Sequence, residues 1–334
     1  MENNYWNCLK ELDLFADVTP TNIGEEKEKF FSAVNKGDIY NPIFTYKYER
    51  TLFDVEKLVD AFRYTPQNEN ISQKYHSHFQ REKQWITTFM QRNEGNFPQL
   101  LVKLYPLPSK EYQLLAHQLL SDNGITEASD NDELISADEA LIIFEKTLKD
   151  AGYSGWQVGL KPIGAKAMVS SLRKELTIRE GHSFKMSEIE RLKVHEIHTH
   201  IRRYENGTKQ PYALFRYGFP DYLETEEGLA IYNEEINKVL TALDLKKYAL
   251  RVMACVWADN GSLYDVYAKL REFTTENDSW EIAMRVKRGL IDTSVKGGFY
   301  KDQLYFIGYQ KVRQLSPEIR EKLWIGKVGI ADVE

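Results

Sequence analysis

Three of the seven histidines in the 334-residue chain fall within His195-Glu196-Ile197-His198-Thr199-His200, gathered around one glutamate. Imidazole nitrogens and a single carboxylate are the donors of an open catalytic zinc site, which keeps one position for water. A carboxylate next to the first histidine is placed to take a proton from that water. The remaining donor has a counterpart downstream, where Thr225-Glu226-Glu227-Gly228-Leu229-Ala230 supplies two adjacent carboxylates. These residue types point to a hydrolase using one Zn²⁺ ion.

The histidine spacing is unusual. Helical zinc sites place histidines at i and i+4, and the fourth residue after His195 is Thr199. On an ideal α-helix His195 and His200 point roughly 140° apart, whereas His195 and His198 differ by roughly 60°. Regular geometry therefore favours His198. One π-type turn inserts an extra residue and returns the fifth position to the ligand face, favouring His200. Spacing alone leaves both pairings open, and a histidine-rich helix face can also be a solvated or pH-responsive surface.

The elements that must carry these groups are partly visible. Ser187-Glu188-Ile189-Glu190 has a capping-box pattern and predicts the start of the histidine helix, which Asn206-Gly207 should end. Thr225 reads as the N-cap of a second helix with Glu227 in its first turn. Ser136 with Glu139 predicts a further helix to Ala151, stopped by Gly152. Met168, Ser170, Leu172, Lys174, Leu176 and Ile178 share one parity, which predicts a single strand with an exposed face, paired with Trp156 to Leu160. Nearer the start, Asp54 to Phe62, Gln80 to Gln91 and Lys110 to Leu120 carry helical periodicity. The polar, acidic stretch from Ser121 to Glu133 reads as a connection between a mostly helical region, 1–130, and a catalytic domain, 131–334. The predicted class is α+β, predominantly helical, with a small sheet.

Composition narrows the function classes. A hydrophobic content of 42% can build a substantial core, and the net charge of −6 gives no basic field for nucleic acid or an anionic membrane. Cys8 and Cys255 are the two cysteines, which disfavours a structural thiolate zinc site and fits a reducing compartment, with the cytoplasm as default. The N-terminal residues lack a basic segment followed by an apolar run, and no window reaches the roughly 18 apolar residues of a membrane span.

The HExxxH string at 195–200, Asn206-Gly207-Thr208-Lys209-Gln210-Pro211 and Glu226-Glu227-Gly228-Leu229-Ala230 follow one another in an order that resembles the tyrosine/phenylalanine carboxypeptidase family, whose members carry a QEGLA motif. Asn41 to Tyr46 and Gly297 to Tyr305 extend the likeness over most of the chain. The resemblance implies a zincin-like core of gluzincin type, His195, His200 and Glu227 as zinc ligands, and Glu196 as catalytic base. Glu226 stands where the motif has glutamine. We assign the ligand role to Glu227 because the motif retains it, and expect Glu226 to face elsewhere, since neighbours on a helix diverge by roughly 100°.

The implied activity is removal of a C-terminal tyrosine or phenylalanine from a peptide or protein. Arg285, Arg288 and Lys301 are the candidate anchors for its terminal carboxylate, a task suited to the guanidinium fork. Glu234, seven residues after Glu227, could orient a ligand histidine, although a surface position is the expectation. His198 is read as uncoordinated, His76, His78, His117 and His182 as unrelated to the site, and Tyr300, Tyr305 and Tyr309 as core. The competing function is a zinc-containing regulatory protein that holds a peptide without cutting it, which the presence of Glu196 argues against.

Overall fold

A computed structural model describes residues 2–63, 66–121 and 132–334. Of the predicted connection, residues 122–131 lie outside the described residues. Helices α1 (Glu2–Leu12), α2 (Ile23–Val34), α3 (Leu52–Ala61), α4 (Glu69–Phe89), α5 (Phe97–Leu104) and α6 (Lys110–Ser121) precede that stretch. After it come β1 (Leu134–Ile135), α7 (Ala137–Asp150), β2 (Gln157–Lys161), β3 (Ala167–Ser170), β4 (Glu175–Arg179) and β5 (Phe184–Lys185). The chain continues with α8 (Met186–Leu192), a π-helical segment (Lys193–Ile201), α9 (Arg202–Gly207), α10 (Leu214–Tyr217) and α11 (Tyr222–Ile236). It ends with α12 (Ala242–Ala258), α13 (Leu263–Leu270), α14 (Glu276–Lys287), α15 (Leu304–Gln314) and α16 (Pro317–Lys322). The fold is α+β and mostly helical.

Where local signals were strong, the elements follow them. The Ser136 hydroxyl accepts from the Glu139 N–H at 3.2 Å, the Glu139 carboxylate accepts from the Ser136 N–H at 2.9 Å, and Gly152 takes φ 74° beyond the helix end. The long helix α4 begins well before Gln80, because Asn68 caps it by accepting from Ile71 N–H at 3.1 Å.

Three readings need correction. The single strand expected from Met168 to Ile178 is two strands, β3 and β4, antiparallel in register Ala167↔Ile178 to Ser170↔Glu175. A turn between them passes through Lys174 at φ 49°, so the shared parity spans a reversal. Strand β4 is central, paired in parallel with β2 on its other side, and β3 is the edge. Ser187 is not a cap: α8 starts at Met186, and the Ser187 N–H and hydroxyl both donate to the Asp132 carboxylate. Thr225 lies inside α11, which starts three residues earlier, and its hydroxyl accepts from Ile330 N–H at 3.0 Å.

Packing fixes the two helices that bear the chemistry. Ile197 and Ile201 are fully buried with Phe144, Leu176, Ile178 and Phe184, so the back of the π segment is set into the sheet and α7. Helices α11 and α15 cross where Gly228 meets Gly308, and a Cβ on either would run into backbone of the opposing helix. Glycine in the Glu-Gly-Leu-Ala string is thus a close-approach requirement next to Glu227. A further core joins Tyr5, Trp6, Leu58 and Tyr75 to Leu214, Phe219, Val312 and Leu323, uniting the start and end of the chain.

Candidate metal centre and catalytic cleft

The extra residue between the histidines is accommodated by π-helical geometry over nine residues, longer than the single turn expected. The Arg202 N–H reaches the Ile197 carbonyl, five residues back, and the Thr199 hydroxyl donates to the Val194 carbonyl at 2.9 Å. From α11, the Asn233 side-chain amide donates to the Thr199 hydroxyl at 2.8 Å and to the His198 carbonyl at 3.3 Å, holding the irregular turn.

The result is convergence. The His195 and His200 rings lie 4.7 Å apart at 87°, and their Nε2 atoms are 3.4 and 3.6 Å from Glu227 Oε2. One donor atom from each of the three residues falls within 4.8 Å of the others, and all three side chains are buried. Glu227 Oε2 has no hydrogen-bond partner. A buried carboxylate oxygen facing two imidazole nitrogens is a donor set that a divalent cation satisfies, and two nitrogens with one oxygen suit zinc.

Behind each histidine stands a second carboxylate. His195 Nδ1 lies 2.6 Å from Glu234 Oε1, and His200 Nδ1 lies 2.9 Å from Glu226 Oε1. Each Nδ1 then donates, which turns Nε2 toward Glu227, an arrangement that fixes ring orientation and would raise ligand basicity toward a bound cation. Glu234 is completely buried, correcting the surface reading. Glu226 does face away from Glu227, but toward His200, and its carboxylate also takes Lys327 Nζ at 2.5 Å and a bond from Arg203.

Electrostatics follow from this geometry. Burial pushes His195 down, yet the Glu227 and Glu234 carboxylates outweigh it and hold the imidazole at about 10. Burial pushes Glu227 up, but His195, His200 and Lys301 hold it well below the usual carboxylate range. A cation bound by the three would displace those imidazole protons and take over their role.

Glu196 is buried on the same π turn, makes no hydrogen bond or ion pair among the described residues, and lines a cleft of about 900 Å³ with the three donors. The same cleft receives Arg285, Arg288 and Lys301, so all seven residues singled out in the sequence meet there. Lys301 Nζ lies 3.7 Å from Glu227 Oε1. Arg285 and Arg288 share Asp302: Arg285 donates through Nε, and Arg288 through Nη2 at 2.8 Å. Edge strand β3 forms another part of the wall.

Tyr305, expected in the core, lines the cleft with its ring stacked toward His195 at 6.3 Å and 18°. Burial and the Glu227 charge push its phenol well above the ordinary value, so it remains a proton donor in hydrogen bonds. His198 is outside the converging group, and His78 is buried against Tyr5 at 2.8 Å. Sequence reasoning passed over Tyr305, Asp302 and the role of Glu226. For Tyr305 the one signal was its place four residues after Lys301 in a helical run.

Comparison with known proteins gives a consistent family. The family profile described as "Microtubule-associated tyrosine carboxypeptidase" matches residues 28–334. Microtubule-associated tyrosine carboxypeptidase 1 of Rattus norvegicus is 34% identical over 149 residues, covering 42% of this chain and 31% of that protein. The Homo sapiens protein of the same name gives the same identity and coverage. A putative tyrosine carboxypeptidase of Mus musculus, MATCAP2, is 32% identical over 149 residues, 42% of this chain and 28% of that protein. The matched segment therefore spans less than a third of these relatives.

Proposed function

This chain belongs to the microtubule-associated tyrosine carboxypeptidase family, and on that premise we propose that it is a zinc-dependent carboxypeptidase that removes a C-terminal tyrosine or phenylalanine from a peptide or protein. The observation that carries the reading is the convergence of His195, His200 and Glu227 beside the unpaired Glu196. Zinc, held by those three side chains, would polarise the scissile carbonyl and acidify the attacking water. Glu196 takes the proton of that water and delivers it to the leaving amine. The Tyr305 hydroxyl donates to the developing oxyanion.

The remaining wall suits an extended peptide with a charged end. Strand β3 is hydrogen-bonded to β4 on one side, so its other edge is open to pair with substrate backbone in the manner of a zincin-like cleft. Lys301, Arg285 and Arg288 give that cleft a cationic side that draws in a carboxylate-ended substrate. The net charge of −6 disfavours strongly acidic tails, and nucleic acid is no part of the reading. No helix among the described residues is long and apolar enough to cross a membrane, and the two cysteines are free, consistent with work in the cytoplasm.

The test is a peptide library ending in each amino acid, incubated with zinc-loaded protein and analysed by mass. Loss of a single terminal tyrosine or phenylalanine supports the proposal. Internal cleavage, or none at all, overturns it; binding without cleavage would favour the regulatory reading.

A further inference from the structure

A second, smaller cavity of about 140 Å³ adjoins the large cleft, sharing His195, Glu196, Arg285 and Tyr305 with it. Its walls are crowded with charge, and almost all of that charge is matched. Lys166 pairs with Glu188, and Arg191 with Glu234 at 3.3 Å and Asp244 at 3.5 Å. Lys247 pairs with Asp278 at 3.0 Å, Arg285 with Asp302, and Glu281 with Arg179 at 2.7 Å. Among the described residues two charged side chains of this lining have no ion-pair partner, Glu196 and Arg251.

Arg251 projects from α12 and sets its guanidinium over two rings that continue the line from the metal centre. Its Cζ lies 4.5 Å from the Tyr305 centroid and 5.0 Å from that of Tyr248, and those two rings stack at 5.6 Å and 6°. Cation–π attraction to the two rings holds the guanidinium at this position. Its Nε and Nη1 are buried with no acceptor. A half-buried guanidinium with no ion-pair partner and two donors without an acceptor is suited to an incoming anion.

We propose that Arg251 docks the α-carboxylate of the substrate's terminal residue in this small cavity. The inference rests on the carboxypeptidase reading and sharpens it. Arg285 and Arg288, whose charges Asp302 offsets, line the approach, and Arg251 reads the chain end. A cavity this small beside Glu196 admits the main chain of one residue and no continuing peptide, while the terminal side chain lies toward the larger cleft.

The test uses binding as well as turnover. N-acetyl-tyrosine and N-acetyl-tyrosinamide are titrated by calorimetry into zinc-loaded Glu196→Gln protein and into the same protein with Arg251→Met or Arg251→Lys. The acid should bind the parent at least ten times more tightly than the amide. Arg251→Met should abolish that preference with the amide affinity unchanged, and Arg251→Lys should recover part of it. In turnover, Arg251→Met should raise KM for an acid-ended peptide by roughly 10- to 100-fold, the size of one charge-assisted contact, with a smaller change in kcat. An acid preference that survives Arg251→Met, or an equal loss of acid and amide binding, overturns the assignment. Absence of cleavage by the unsubstituted protein, with the acid preference present and dependent on Arg251, would sink the peptidase reading and leave this one standing.

Discussion

Glu226→Gln converts this chain's Glu-Glu-Gly-Leu-Ala into the Gln-Glu-Gly-Leu-Ala typical of the motif, and the structure says that here the change is harmful. The carboxylate sits among His200, Lys327 and Arg203, with Lys327 4% and Arg203 0% exposed. Burial pushes the Glu226 pKa up, but Lys327, Arg203 and His200 outweigh it and hold the group well below the usual carboxylate range. Removing the charge leaves two cations buried with one neutral amide between them.

Breaking a buried ion pair by neutralising one partner costs about 3–5 kcal/mol. With an unfolding entropy of about 2.1 cal/mol/K per residue, that corresponds to a fall in Tm of roughly 4–7 °C for a chain of this length. His200 also loses its anionic partner, which should weaken metal affinity by about 10- to 100-fold. Thermal melts with and without zinc, and chelator competition for zinc affinity, read the two effects separately. Lys327→Gln in the same chain should restore part of that stability, since one buried cation, Arg203, then remains instead of two; the coupling in the double-mutant cycle should exceed about 1 kcal/mol. A Glu226→Gln protein that melts with the parent and binds zinc equally well would refute this account of the network.

Glu196→Gln should lower kcat by about 10²- to 10⁴-fold, the range for removal of a general base, while Tm and zinc content stay at parent values. Chelation should abolish hydrolysis and lower Tm, and zinc at 100 times its Kd should return about 2.7 kcal/mol of stability. Glu82, half-buried in the cleft wall, has its pKa pushed up to about 7 by desolvation, against the opposing charge of Arg81. The nearby His78 is held down at about 3 by burial and Arg81, so it supplies no countercharge. The folded state then binds this proton more tightly than the unfolded state, so stability should fall as pH rises from about 4.5 to 7 and level off above. Urea titrations across that range should show a decline of up to about 3 kcal/mol that Glu82→Gln removes.

Legibility in the sequence followed the range of the interaction. The Ser136–Glu139 capping box and the Gly152 stop are set by contacts within a few residues, and both elements formed where the pattern placed them. The β3–β4 hairpin was misread because period-2 alternation carries no mark of direction: Met168 and Ile178 share a parity although the chain reverses between them. Thr225 and Ser187 failed as caps for a related reason. Both hydroxyls were claimed by distant partners, Ile330 N–H and the Asp132 carboxylate, and a local pattern cannot show that competition.

The site shows the same division more sharply. Residue type and order sufficed to bring His195, His200, Glu196 and Glu227 under suspicion, but choosing His200 over His198 required a backbone irregularity that spacing permits without demanding. The structure shows what sustains it: Ile197 and Ile201 sunk in the sheet core on one side, and Asn233 reaching across from α11 on the other. Asn233 and Glu234 are adjacent, so the same turn of α11 that holds the irregular helix also holds His195. Glu226 and Glu227 are likewise adjacent, one behind His200 and the other in front of both histidines. Two residue pairs about two turns apart on α11 therefore set the whole centre, and the Gly228–Gly308 crossing sets α11. Widening that crossing by a methyl group should move Glu226, Glu227 and Glu234 together, which makes the glycine beside the ligand as much a part of the metal centre as the glutamates.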